Sequence, residues 1–180
     1  MGPDQFATVV ARQRYGLALA LVGRHQESLT ELRATRDIAS APPQPDPSLT
    51  IELTAQIAAV ASAAGDSETA ETELAAVINS DPSLWSELVV AGAFAARLAQ
   101  PQIAKPLLTR AIELAGGPAD AASRRRLAVA KLTLAELLMP EDRPRAATLL
   151  SAPELDEDLR SAPKLAKQLE QLRAAAQQPP

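Results

Sequence analysis

The chain contains no cysteine, one histidine and only four aromatic side chains among its 180 residues. Without thiols there is no disulfide, no thiolate nucleophile and no cysteine zinc site, while the redox compartment stays open because oxidising and reducing surroundings both accept a cysteine-free chain. The single histidine, His25, falls at the exposed start of a predicted helix. Neither a Ser, His, Asp relay nor a histidine-rich metal site is therefore expected. No stretch approaches 18 uninterrupted apolar residues, so no membrane span is expected, and the opening MGPDQF has neither a basic segment nor an apolar run behind it. A cytoplasmic location is the expectation, or a periplasmic or secreted one if a leader has been removed. Phosphate-cradling patterns of the GxGxxG or GxxxxGK type are missing, and AGGPAD reads as a helix stop at Gly116 and Gly117 with a restart at Pro118. A net charge of -4 and a pI near 5.1 give no overall attraction to nucleic acid or anionic lipid.

What is abundant is alanine (38) and leucine (26), about a third of the chain. Both favour helix, and the scarcity of aromatic residues argues against strands. The expectation is an all-α protein.

A fixed period appears when the chain is laid over itself. GDSETAETELAAVINSDP, Gly65 to Pro82, matches AQPQIAKPLLTRAIELAG 34 residues later, with Ala70 on Ala104, Leu74 on Leu108 and Val77 on Ala111. Upstream, Ile57, Ala58 and Ala61 fall on Ala91, Gly92 and Ala95, so two helices are repeated, not one. GRHQESLTELRATRDIAS precedes the first of these at a spacing of 42, with Gly23 on Gly65, Ser28 on Ala70 and Leu32 on Leu74. The extra residues belong to SAPPQPDPS, whose prolines cannot continue a helix. A fourth copy, EDRPRAATLLSAP, puts Ala146 and Leu150 a further 42 beyond Ala104 and Leu108.

With these residues in place, the pattern resembles the tetratricopeptide repeat (TPR) family, bacterial type, a 34-residue helix-turn-helix unit. The matching positions are Tyr15, Gly16, Leu19, Gly23 and Leu32 in the first copy, and Gly65, Ala70, Leu74 and Pro82 in the second. The third supplies Leu88, Gly92, Ala104, Leu108 and Ala111. The family's aromatic positions are mostly Ala or Leu here, and Glu141 stands where a small turn residue belongs. The resemblance implies a right-handed α-solenoid with repeats near 6–40, 48–82, 83–116 and 118–152. Close packing gives the reason for the small residues: Gly16, Ala58 and Gly92 let the second helix of a pair approach the first, with Leu32, Leu74 and Leu108 filling the gap to the next repeat. An irregular Ala-rich helical bundle is the alternative.

The expected helices are 5–22, 25–39, 48–63, 67–79, 83–98, 101–115, 118–138 and 143–151. A capping helix near 162–177 follows, with Ser161 as N-cap, Pro163 in its first turn and Leu165, Leu169 and Leu172 on one face. SRRRLAVAK concentrates Arg124, Arg125, Arg126 and Lys131, which suits either a solvated face with Asp120 paired to Arg124 or a site for an acidic partner. The acidic PELDED, Glu154 to Asp158, is expected to neutralise it from the next loop. Carboxylate pairs such as Glu68 with Glu71 read as solvated helix faces rather than acid-base machinery.

For function, the resemblance implies a concave groove lined by the first helix of each pair. Carried onto this sequence, its positions are Val10, Gln13, Leu17, Ala20 and Leu21 in the first repeat, and Glu52, Ala55, Ala59 and Ser62 in the second. Ser86, Val89, Ala93 and Arg97 belong to the third, and Ala128, Lys131 and Ala135 to the fourth. The Lys, Asn and Arg set by which one subgroup grips a C-terminal carboxylate is replaced here by Gln, Leu, Ala and Ser. The expectation is a non-enzymatic protein-protein interaction scaffold that needs no cofactor or metal and holds a partner peptide or helix, with Leu17 and Leu21 anchoring its apolar side. Alternatives are a regulatory or sensing arm of a larger multidomain protein and a self-associating assembly protein, a homo-oligomer built through its open ends.

Overall fold

The computed structural model describes residues 3–43, 45–117 and 120–177. Ten α-helices occupy these residues, with no strand among them: α1 (Pro3–Leu21), α2 (His25–Ser40), α3 (Pro47–Ala63), α4 (Ser67–Ile78), α5 (Trp85–Arg97), α6 (Pro101–Ala115), α7 (Ala121–Leu138), α8 (Arg143–Leu150), α9 (Glu154–Asp158) and α10 (Pro163–Gln177). The all-α expectation and most helix boundaries agree. Three details differ. α5 is preceded by a 3-10 turn over Pro82–Leu84, because Asp81 accepts from Ser83 N only two residues on. The acidic stretch expected as loop is the short helix α9. α10 starts at Pro163 with Ala162, not Ser161, in the cap position, since the Leu165 and Ala166 amides donate to the Ala162 carbonyl. The proposed restart at Pro118 lies outside the described residues.

Helix starts follow from side-chain chemistry. The first amides of a helix have no carbonyl partner, and a short carboxylate just ahead supplies one. Asp46, Asp66, Asp120 and Asp142 each accept from the amide three residues on, at 3.0, 3.1, 2.9 and 3.1 Å. At the other end, Gly116 closes α6 with φ +59°, as read from AGGPAD.

The turns inside the helix pairs carry the clearest mark of repetition. Gly23 (φ +81°), Gly65 (φ +82°) and Ala99 (φ +54°) stand 42 and then 34 residues apart in the left-handed region. Around them the same bond recurs at the same spacings: Arg24 N to Leu19 O, Asp66 N to Ala61 O and Gln100 N to Ala95 O, each 2.9 Å. This six-to-one bond with a left-handed residue inside is the Schellman closure, and it fixes how the second helix of a pair leaves the first. The fourth turn, where Glu141 follows Pro140, lacks it; the Asp142 amide bonds the Leu138 carbonyl four residues back, at 2.7 Å.

Within pairs, the glycines act as sockets. A Cβ at Gly16 would lie 2.9 Å from Leu32 Cδ2, and one at Gly92 would lie 2.7 Å from Leu108 Cγ. The leucines therefore press on the glycine of their own pair, rather than only filling the gap to the next. Both leucines are fully buried, as is Ala58 at the equivalent place in the second pair, where Leu74 keeps some exposure. Gly16 also exposes its carbonyl to Ser28 Oγ, which donates to it at 2.7 Å. Pairs α1/α2, α3/α4, α5/α6 and α7/α8 pack internally, and the first helices α1, α3, α5 and α7 each touch the next. α9 and α10 cover α7, and α10 also packs on α8.

Two tests of this packing follow. Gly92→Ala gains about 1 kcal/mol of helix propensity and loses about 1–3 kcal/mol to overpacking against a branch carbon that cannot swing away. Urea titration should show net destabilisation, smaller for Gly16→Ala because its Cβ would sit 2.9 and 3.0 Å from Leu32 Cδ2 and Cγ where that of Gly92→Ala would sit 2.8 and 2.7 Å from the same atoms of Leu108, and the Gly92→Ala/Leu108→Ala pair should lose less than the sum of its singles. Ala99→Gly should raise stability by up to about 1 kcal/mol, since relief of the left-handed strain of about 1–2 kcal/mol outweighs the added freedom of the unfolded chain.

Candidate functional site: a groove across the first helices

The side-by-side first helices enclose a groove of about 490 Å³. Leu17 comes from α1 and Gln56 from α3; Val89, Val90, Ala93, Phe94 and Arg97 come from α5; Ala122, Arg125, Arg126 and Val129 come from α7. On α5 the spacing explains the division of labour. Val89, Ala93 and Arg97 recur every four residues and form one stripe, while Leu88, Gly92 and Ala95 turn toward the interior. The lining is apolar except for Gln56 and three arginines.

Charge is unevenly matched around this groove. Several nearby cations are tied to carboxylates: Arg124 to Asp158 at 3.2 Å, Lys131 to Glu154 at 2.6 Å, Arg173 to Asp156 at 2.7 Å, and Lys105 to Glu141. The acidic segment does neutralise the basic face of α7, but as a helix and only at two cations of that stretch. Arg125 donates to Ser161 Oγ. Arg97 and Arg126 are exposed, and neither forms a hydrogen bond or salt bridge among the described residues. Glu87 feels the Arg126 charge. Burial raises the Glu87 pKa, but hydrogen bonds from Ser48 and Ser86, with a smaller contribution from Arg126, leave it below the ordinary carboxylate value.

At the groove's edge a polar cluster joins α1 to α3. Gln13 Nε2 donates to Glu52 Oε1 at 2.7 Å and to Gln56 Oε1 at 3.1 Å, and Gln56 Nε2 donates to Glu52 Oε1 at 2.7 Å. Gln13 and Gln56 are buried. Burial drives the Glu52 pKa above its ordinary value, opposed by the two amide donors and reinforced by the Glu87 and Asp46 charges.

The residues expected to line a groove meet different fates. Leu17, Val89, Ala93 and Arg97 line it. Leu21 is 43% exposed beyond its edge. Ala55 and Ala59 were expected on an open surface; both are fully buried, because α3 is packed by helices on several sides. Gln13 is likewise internal, spent on the polar cluster with Glu52. Ser62 donates to Gln100 at 2.8 Å and Ser86 to Glu87 at 2.7 Å, so both are occupied within the protein. Lys131 turns to Glu154, away from the groove. Ala20, Ala128 and Ala135 are buried. The sequence reading missed Gln56, Val90, Phe94, Ala122, Arg125, Arg126 and Val129. On α7 it took the wrong face, and the altered fourth turn is the sign that this pair does not follow the phase of the others.

Among the described residues no cluster of His, Cys, Asp or Glu could hold a metal ion, and no helix is long and apolar enough to cross a membrane. Neither known protein families, nor curated proteins, nor solved structures yield a match to this chain.

The polar cluster predicts a pH dependence. A folded-state pKa raised above 4.5 means the native state holds the Glu52 proton more tightly than the unfolded chain does. Stability from this group is then greatest below that pH and falls as pH rises through the window up to the folded value. Glu52→Gln keeps an acceptor for both amides without the charge; its urea midpoint should exceed that of the parent at pH 7, and the advantage should vanish near pH 4. Glu52→Leu instead strands the buried Gln56 amide, leaves Gln13 with Gln56 Oε1 alone, and should lose about 1–3 kcal/mol at either pH.

Proposed function

We propose that this chain is a non-enzymatic scaffold of tetratricopeptide type, a right-handed α-solenoid whose first-helix groove holds a peptide or helix of a partner protein. The observation that carries the reading is the groove itself. Its lining comes from α1, α3, α5 and α7 in succession, the helices that the family resemblance assigns to a concave binding face. The recurrence of one turn geometry at spacings of 42 and 34 supports equivalent helix pairs. An apolar surface of this kind, left open beside its own domain core, is the kind that polypeptides cover.

Val90 is the suitable probe, because it lines the groove while 43% exposed, so replacing it does not disturb the core. Affinity capture from the source organism, run in parallel with the parent protein and Val90→Asp, should recover a partner that the variant loses by at least about tenfold, with thermal midpoints within a degree or two. Equal recovery by both proteins would remove the groove from the reading.

A second reading rests on a separate observation. Tyr15 (53% exposed) and Leu21 (43%) on α1, with Val22 (70%) in the turn after it, stand out at one end of the helix array. Such an end suits self-association, and light scattering over a concentration range distinguishes it: a mass that stays monomeric counts against this reading and leaves the groove untouched.

A further inference from the structure

We infer that the segment accepted by the groove is an acidic amphipathic helix, an inference that rests on the scaffold reading and narrows it to one chemistry. Charge complementarity at an apolar trough selects such a helix. The chain is acidic overall, with 22 Asp and Glu against 18 Lys and Arg, and carboxylates tie down Lys131 and Arg124 on α7, the very helix that brings Arg126 to the groove. Arg97 on α5 and Arg126 on the neighbouring α7 both line the groove and are exposed. Glu87 is the carboxylate that feels Arg126, and it is committed to Ser48 and Ser86. A basic segment would meet two guanidiniums and lose its solvation. An uncharged apolar one would leave them beside a covered surface, at a cost in desolvation. A helix with apolar residues along one face and Asp or Glu flanking it would cover the apolar trough and place a carboxylate at each arginine, where the guanidinium can take it by a bidentate contact.

A displayed library of random helical peptides of about 16 residues, long enough to reach across the trough, tests this without knowing the natural partner. It is selected separately against the parent chain and against Arg97→Glu/Arg126→Glu. Binders are then titrated using the fluorescence of Trp85, the only tryptophan, one turn before Val89 on α5. Peptides selected by the parent should be enriched in Asp and Glu beside an apolar face, lose at least about tenfold in affinity for the reversed-charge chain, weaken with salt, and be blocked by Val90→Asp. The reversed-charge chain should select basic sequences instead. Groove-dependent binders with no acidic bias, or with affinity unchanged by charge reversal, would overturn the inference while leaving the scaffold reading standing. Failure to recover any peptide sensitive to Val90→Asp would overturn both.

Discussion

The structure depends on how closely two helices can approach at a residue without a side chain. Gly16 and Gly92 each receive a leucine from the second helix of their own pair, near enough that even a methyl group would collide. Each of those leucines gains about 1.5–3 kcal/mol from full burial, and only the glycine makes the approach possible. The second constraint is angular. A left-handed residue at Gly23, Gly65 and Ala99 closes the first three pairs with the same bond, so in those pairs the second helix leaves the first by the same turn. Close approach at Gly16 and Gly92 and the shared turn of the first three pairs set how these helices pack, and residues of α1, α3, α5 and α7 meet at the groove.

Much of this was legible in the sequence because spacing records backbone geometry. The glycines at Gly23 and Gly65 mark turns that need positive φ, and their offset from Ala99 survives even though the residue type changes there. The aspartates before α3, α4, α7 and α8 carry the same kind of record, since a capping carboxylate must sit at a fixed place relative to the first free amides. Side-chain direction was less legible. Ala55 and Ala59 carry no mark that separates a groove position from an interior one, because alanine suits both. Only the presence of neighbours on several sides of α3 decides. On α7 the failure has a local cause: the fourth turn lacks the shared closure, so extending the period through it selected Lys131 and Ala135, whereas Arg126 and Val129 face the groove.

Charge tells a similar story at longer range. Arg124, Arg125, Arg126 and Lys131 look like one basic cluster in the sequence, yet the helix separates their fates. Lys131 and Arg124 meet the carboxylates of α9, whose contact with α7 sets them close. Hydrogen bonding to Lys131 accordingly holds the Glu154 pKa below its ordinary value, as Arg173 does for Asp156. These exposed pairs contribute little to stability individually, but they remove charge from one face of α7 and leave it on the other. The sequence run is therefore divided into a structural half and an open half by the placement of a five-residue helix that its prolines and acids did not announce as helical.

The polar cluster of Gln13, Glu52 and Gln56 has to be understood in the same terms of approach and register. α1 and α3 touch over a small area compared with the helices inside each pair, so apolar packing alone gives α1 little to resist sliding or rotating against α3. Directional bonds do what area does not. Both amides converge on one Glu52 oxygen, at 2.7 Å each, and that geometry is lost if either helix shifts by much of a turn. The cost is visible in Glu52, whose ionised form is disfavoured by burial. Replacing all three with leucine would remove that cost and the constraint together, giving a more permissive joint. Since Gln56 also forms part of the groove lining, the same residue that fixes α1 in register ties the groove's shape to that joint.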